Sequence, residues 1–282
     1  MITELNKLNL SAIAPPILLF GGPYSNLQAT VAVRDCAGRL GISPDRVICT
    51  GDTIAYCAEP EATVNQIREW GCHVVMGNCE DALGNDLSDC GCGFEEGSVC
   101  ATLSIDWYNH AIRSVSKANK NWMKSLPTRI DFALCNTRFA VVHGSMEDFS
   151  DFVFCSSDKK IKSDHLEHMG VDCVIGGHCG LPFGQKLNKG YWLNPGVIGM
   201  PANDGTNSTW YLLLNPVNGG IKASWHRLEF DFRSTMRKMK ESGLPRDYMD
   251  ALQSGRWPSM SVLPAHEKSM QAVPIKESQL MI

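Results

Sequence analysis

Cys173-Val174-Ile175-Gly176-Gly177-His178-Cys179-Gly180 is the stretch whose reading decides the rest of the chain. An apolar run of strand type ends in two glycines and then presents one histidine. In open α/β sheets, side chains converge on ligands at the carboxyl ends of strands. Gly176 and Gly177 permit a sharp turn and a close backbone approach to whatever His178 faces. Taken alone, the stretch reads equally well as a buried strand and a tight turn, with the histidine satisfied by a local hydrogen bond. Three other apolar runs end in the same way, each on a side chain able to ligate. They are Val47-Ile48-Cys49-Thr50-Gly51-Asp52, Val74-Val75-Met76-Gly77-Asn78 and Phe139-Ala140-Val141-Val142-His143-Gly144.

Working outward, helical patterns separate these runs. One covers 27–40, with Ser25 or Asn26 as N-cap and Gly41 just beyond its end. A second covers 61–70 and stops at Gly71, and a third covers 158–169 and stops at Gly170. Strands and helices alternating at this spacing form βαβ units, so a parallel sheet core is expected. Residues 17–20 add a buried strand, 130–134 and 139–142 a hairpin, and 209–214 with 221–230 two more strands. Residues 84–100 read as loop. Within 103–126, Trp107, Ala111, Val115 and Trp122 fall on one face of one or two helices, a packing stripe or a homo-oligomer interface. Two short helices, 232–241 and 245–253, follow the last strand.

Composition narrows the class of protein. The chain has 282 residues, 44% hydrophobic and 20% charged, which suits a globular protein with a sizeable core. A net charge of -4 and the lack of any basic block argue against a nucleic-acid partner. No apolar run is long enough to span a bilayer. The opening MITELNKLNLSAIAPP lacks a charged segment followed by an apolar core, so a cytoplasmic protein without a membrane partner is expected. The twelve cysteines are scattered through apolar runs, as buried free thiols are. Cys90-Gly91-Cys92, in a glycine-rich loop, reads as a redox pair, a metal clip or an incidental spacing.

Asp52, Asn78, His143 and His178 offer a carboxylate, an amide oxygen and two imidazoles at four strand ends. That donor mix suits one first-row divalent ion such as Mn, Fe or Zn. At this point the chain resembles the calcineurin-like metallophosphoesterases, over roughly residues 16–230, and most closely their small bacterial and archaeal phosphodiesterase branch. Gly51-Asp52, Gly77-Asn78-Cys79-Glu80, Val142-His143-Gly144-Ser145, Gly177-His178-Cys179-Gly180 and Leu193-Asn194-Pro195-Gly196 follow that family's motifs in order. Arg256-Trp257-Pro258 also looks like that branch. The resemblance implies a four-layer αββα sandwich, two mixed sheets packed face to face with helices outside, and a short helical C-terminal extension. It divides the chain into an N-terminal extension (1–14), a phosphoesterase-like domain (15–230), a helical extension (231–263) and a flexible tail (264–282).

The departures from the family are one-sided. Its D-x-H block stands here as Gly22-Pro23-Tyr24, and its G-H-x-H block ends in Gly180. In the family these missing side chains serve one metal of a pair. The four residues kept here, with Asp52 normally bridging, serve the other. The resemblance therefore implies one divalent transition metal per chain, held by Asp52, Asn78, His143 and His178. It implies a small-molecule phosphoester as substrate, with Asp52 and Cys79 in catalytic positions. Asn26, Tyr24, Cys179 and Glu80 fall near the substrate. Two other readings compete. One is a non-hydrolytic binding or scaffold protein of the same fold; the other rebuilds a second metal site from Tyr24, Cys79, Cys179 or the Cys90/Cys92 loop. Each substrate-side residue also has a plainer reading: Asn26 as a helix cap, Tyr24 as a plug for the vacated pocket, Cys79 as a buried thiol and Glu80 as a helix-dipole charge.

Overall fold

A computed structural model describes residues 6–282. Twelve strands form two mixed six-stranded sheets. The first sheet runs, in spatial order, β1 (Lys7–Ala12), β5 (Arg129–Leu134), β6 (Thr137–Val141), β7 (Cys173–Ile175), β9 (Tyr191–Asn194) and β8 (Phe183–Lys186). The second runs β12 (Gln279–Met281), β11 (Gly220–Leu228), β10 (Thr209–Val217), β2 (Ile17–Phe20), β3 (Val47–Cys49) and β4 (His73–Val74). The helices are α1 (Leu27–Arg39), α2 (Pro60–Trp70), α3 (Asn78–Gly84), α4 (Val99–Ser114), α5 (Lys117–Lys124), α6 (Lys159–Met169), α7 (Phe232–Glu241), α8 (Arg246–Ser254) and α9 (Ala265–Ser269).

The central strands are apolar throughout because both of their faces are covered. In β2, Ile17 and Leu19 point between the sheets, where they meet Phe132, Phe139, Ile175, Leu193 and Trp210. Leu18 and Phe20 point the other way, onto Ala29 and Val33 of α1 and Ile67 of α2. On the far face of the first sheet, Ala140, Val174 and Trp192 pack on Leu166 and Met169 of α6. The expected αββα sandwich is therefore what the chain forms.

Register then positions the site. β2, β3 and β4 are mutually parallel, and so are β6, β7 and β9. The loops that leave their carboxyl ends meet at one edge of the sandwich, where both sheets contribute.

Four segments refine the sequence reading. Weak structure is expected over 1–14; residues 1–5 lie outside the described residues, but Lys7–Ala12 pair in parallel with β5. The 264–282 tail is not loose: α9 lies within it, and Gln279–Met281 close the second sheet against β11. The 84–100 loop is bracketed by α3, which starts at Asn78, and by α4, which starts at Val99. The stripe after 103 is covered within the chain, with Trp107, Ala111 and Val115 buried against Ile54, Leu83 and Tyr248.

Candidate metal centre

Each ligand candidate stands just past a strand end. Asp52 follows β3, Asn78 opens α3 beyond β4, His143 follows β6 and His178 follows β7. All four are buried. His143 is the hub. Its Nε2 lies 3.2 Å from Asp52 Oδ2, 3.1 Å from Asn78 Oδ1 and 3.0 Å from His178 Nδ1. One donor atom from each of Asp52, His143 and His178 lies within 4.8 Å of the others.

The orientation of each donor has a cause. His143 Nδ1 is 2.6 Å from the Thr50 carbonyl, which makes that nitrogen the N–H and turns the Nε2 lone pair inward. Asn78 donates from Nδ2 to the Cys90 carbonyl at 2.9 Å and to Cys92 Sγ at 3.3 Å, so Oδ1 faces His143. Cys90 and Cys92 are joined as a disulfide. The far nitrogen of His178, Nε2, is buried and makes no hydrogen bond of good geometry, and the Phe152 ring packs on this imidazole at 4.2 Å between centroids.

Asp52 sits in the left-handed region, at φ 58°. Such a conformation in a non-glycine residue needs outside support. Glu80 supplies it. Its fully buried carboxylate accepts from Asp52 N at 2.8 Å, Thr53 N at 2.6 Å, Thr53 Oγ1 at 2.6 Å and Gly77 N at 2.9 Å.

Four lone pairs thus meet around one point, and such a cluster calls for a cation. A first-row ion about 2.0–2.2 Å from each donor sets neighbouring donors roughly 3.0–3.5 Å apart, close to the spacing around His143. In the metal-free chain a proton competes for this point. Burial opposes charging His143, but the adjacent Asp52 carboxylate outweighs it and raises the imidazole pKa. Burial and then the His143 charge push His178 down to about 3, which leaves it a neutral ligand. Among the described residues, this is the one cluster of His, Cys, Asp and Glu with metal-ligand spacing.

The neighbouring half of the site is filled by Tyr24. A Cβ at position 22 would come within 2.5 Å of the Tyr24 ring, and one at position 180 would stand 3.7 Å from its hydroxyl. The ring takes the volume that a side chain at position 22 would need, while position 180 lies within ordinary contact distance of the hydroxyl. Burial first, then the Asp52 charge, keeps this phenol protonated, so it offers no anionic ligand. Burial likewise holds Cys79 well above the usual thiol range and Cys179 up to about 12. Among the described residues, these groups form no further cluster with metal-ligand spacing. One consequence is measurable. Gly22→Asp should destabilise the chain by about 1–3 kcal/mol through overpacking on Tyr24 and Val197 and a left-handed backbone, and Tyr24→Ala in the same chain should recover the part of the lost melting temperature that is due to the ring. Additive effects of the two changes would refute the shared volume.

The remaining sequence candidates divide. Tyr24 and Cys179 line the cavity over the centre, together with Asp52 and His178. Asn26, Glu80 and Cys79 do not. Asn26 is the cap of α1, accepting from Ala29 N at 3.1 Å and Thr235 Oγ1 at 2.9 Å. Glu80 holds the Asp52 loop. Cys79 is packed in the core, its amide donating to Asp52 Oδ1 at 3.2 Å. The expected substrate-side residues Asn26 and Glu80 and the expected catalytic Cys79 are thus buried and do not line this cavity. Sequence reasoning missed Tyr56, Phe94, Phe152 and Tyr248, which wall the cavity with Trp257. Only Trp257 carried a signal, within Arg256-Trp257-Pro258.

Fold and site define an αββα protein with one buried aspartate, asparagine and two-histidine centre. The model of the calcineurin-like phosphoesterase superfamily domain matches residues 29–216, and the chain belongs to that superfamily. It is 26% identical over 249 residues to an uncharacterised protein of Methanocaldococcus jannaschii, covering 83% of this chain and 95% of that one. It superposes on a metallophosphoesterase of Sphaerobacter thermophilus with a TM-score of 0.68 at 22% identity, covering 86% of this chain and 100% of the other. A hypothetical protein of Pyrococcus horikoshii gives 0.72 at 12% identity, covering 86% and 99%. At these identities the two structures speak for the fold. None of the helices among the described residues is long and apolar enough to cross a membrane.

Proposed function

We propose that the chain is a single-metal hydrolase of small-molecule phosphoesters. The observation that carries this reading is the asymmetry of the centre: four donors converge on one point, and the adjoining space is closed by Tyr24. Asp52, Asn78, His143 and His178 would hold one Mn, Fe or Zn ion. The ion would supply Lewis acidity at the phosphoryl group. The protein's part is to fix Asp52 through Glu80, to fix His143 through the Thr50 carbonyl, and to exclude bulk water beneath the aromatic walls. In the net reaction, water adds across an ester P–O bond. That bond breaks, a new P–O bond forms to the water oxygen, and a proton ends on the leaving alcohol.

Elemental analysis of the purified chain should give about one divalent ion per molecule, with turnover of an activated phosphodiester when Mn or Fe is supplied. Two ions per chain would overturn the single-site reading. A loaded chain that turns over no ester with any of these metals would assign it to the non-hydrolytic proteins of this fold.

Metal affinity should also depend on pH in a set direction. In the metal-free chain the raised pKa of His143 keeps its proton above pH 6.5, and that proton competes with the ion. Affinity should therefore climb as pH rises through the folded pKa of His143 and level off above it. The His143–Asp52 pairing in the metal-free chain runs the opposite way: it stabilises fully below the unfolded pKa and is lost as pH rises through the folded one. Calorimetric titration in buffers of different ionisation enthalpy should show net proton release on ion binding that shrinks as pH rises; no release at any pH would contradict this.

A further inference from the structure

The cavity over the centre has room of about 80 Å³, and its lining is unusual for a site that handles phosphate. The lining includes no lysine and no arginine. Rings dominate instead: Tyr24, Tyr56, Phe94, Phe152, Tyr248 and Trp257. Much of one wall comes from the segment after β11. Tyr248 and Ala251 on α8, then Trp257, Pro258, Ser259 and Val262, close the cavity from above. That segment lies beyond the 29–216 region shared with the superfamily model.

This roof is built rather than draped. Trp257 donates its indole N–H to the Pro201 carbonyl at 2.7 Å and its amide to Asn203 Oδ1 at 2.8 Å. Tyr248 packs on Tyr56 at 4.7 Å between centroids, and Tyr56 on Tyr24 at 4.8 Å. The ring network therefore runs from the roof to the tyrosine that plugs the emptied half-site. Phe94, Phe152 and Trp257 are only partly buried at the mouth, and Phe152 already packs on His178 and Phe154.

Charge sets a second requirement. One divalent ion with the Asp52 carboxylate leaves one positive charge at the centre, while the Glu80 carboxylate behind it is met by its own four donors. A monoanionic diester would be neutralised there. A phosphomonoester dianion would bring an unpaired charge into a lining without cations, which is costly in a low-dielectric site.

We infer that the cavity binds a phosphodiester carrying a flat aromatic group, the ring under the Trp257–Tyr248 roof and the singly charged phosphoryl group at the metal centre. This rests on the single-metal reading for the phosphoryl end and on the roof alone for the ring. The test titrates the metal-loaded full chain with methyl phenyl phosphate, dimethyl phosphate and phenyl phosphate by calorimetry, with metal content measured on the same samples. Methyl phenyl phosphate should bind at least roughly tenfold more tightly than dimethyl phosphate, as one or two added ring contacts would give, and more tightly than phenyl phosphate at pH 8. Trp257→Leu should shrink the phenyl advantage to within about threefold with metal content unchanged, and Trp257→Phe should retain it. Where Trp257→Leu does not fold, Phe94→Leu carries the same comparison. Equal binding of the two diesters, tighter binding of phenyl phosphate, or no measurable binding of either diester to the loaded chain would overturn the inference while leaving the metal reading intact. A chain that holds no metal yet keeps the phenyl preference would refute the metal reading and retain the ring site.

Discussion

His143→Ala should abolish metal binding, lowering affinity by at least about 100-fold, the upper end of what loss of a mere supporting residue costs. His143 is the donor that touches all three others, at 3.0 to 3.2 Å. Its removal leaves Asp52, Asn78 and His178 with no common neighbour and frees the Thr50 carbonyl that accepts from Nδ1. The two sheets also lose a link there, because Thr50 follows β3 of one sheet and His143 follows β6 of the other. Elemental analysis should fall from about one ion per chain to near none, and any ester turnover should fall with it. His226→Ala is the control: that ring lies on β11 and bonds Ser224 Oγ at 3.0 Å, far from the centre in the fold. Full metal content in His143→Ala, or equal losses in both variants, would refute the assignment. Chelation should also lower the melting temperature of the wild type, since an ion that binds only the folded chain stabilises it by mass action; the same treatment should leave His143→Ala unmoved.

Much of this centre is legible in the amino-acid sequence, for a physical reason. Apolar strand runs that end in glycine and then a ligand place that ligand at the carboxyl edge of a sheet, so Asp52, Asn78, His143 and His178 can be read locally. The absences at positions 22, 24 and 180 are equally local. That the Tyr24 ring fills the space at position 22 and lies beside Gly180 is not, because these positions come together only when loops from the two sheets close on each other. The side on which Glu80 and Asn26 turn is not local either. A motif gives neighbours in sequence, whereas burial decides whether a polar side chain turns toward a cavity or back onto backbone N–H groups. The aromatic roof is the least legible part. Phe94, Phe152, Tyr248 and Trp257 lie on three separate segments with no shared period, and a pocket assembled by tertiary packing leaves no spacing signal. The edge strands β1 and β12 escape sequence reading because edge pairing depends on a neighbour's free hydrogen-bonding groups more than on the strand's own composition.

Glu80→Ala should be the most damaging single polar change in the chain, at about 3–5 kcal/mol, the scale of breaking a buried charged network. The carboxylate takes four hydrogen bonds, from three backbone amides and the Thr53 hydroxyl, with no water-exposed surface of its own. Burial, followed by the Asp52 charge, pushes its pKa up, so these donors are what hold the charged form in place. Removal strands donors that cannot reach solvent, each costing about 1–3 kcal/mol if left unpaired. It also frees Asp52 from the left-handed conformation that aims Oδ2 at His143. The stability loss should therefore come with a metal loss, although Glu80 ligates nothing. Glu80→Gln separates shape from charge. Each carboxylate oxygen serves two donors, so whichever way the amide turns, at least one backbone N–H faces an NH2 group, and this variant should fall between wild type and alanine. Thr53→Val removes one of the four bonds and should cost only about 1 kcal/mol with metal retained. Denaturant melts of the three variants, read beside their metal content, decide the matter. A Glu80→Ala chain that keeps wild-type metal affinity would show that the Asp52 loop holds its shape unaided, and the role given to Glu80 would be wrong.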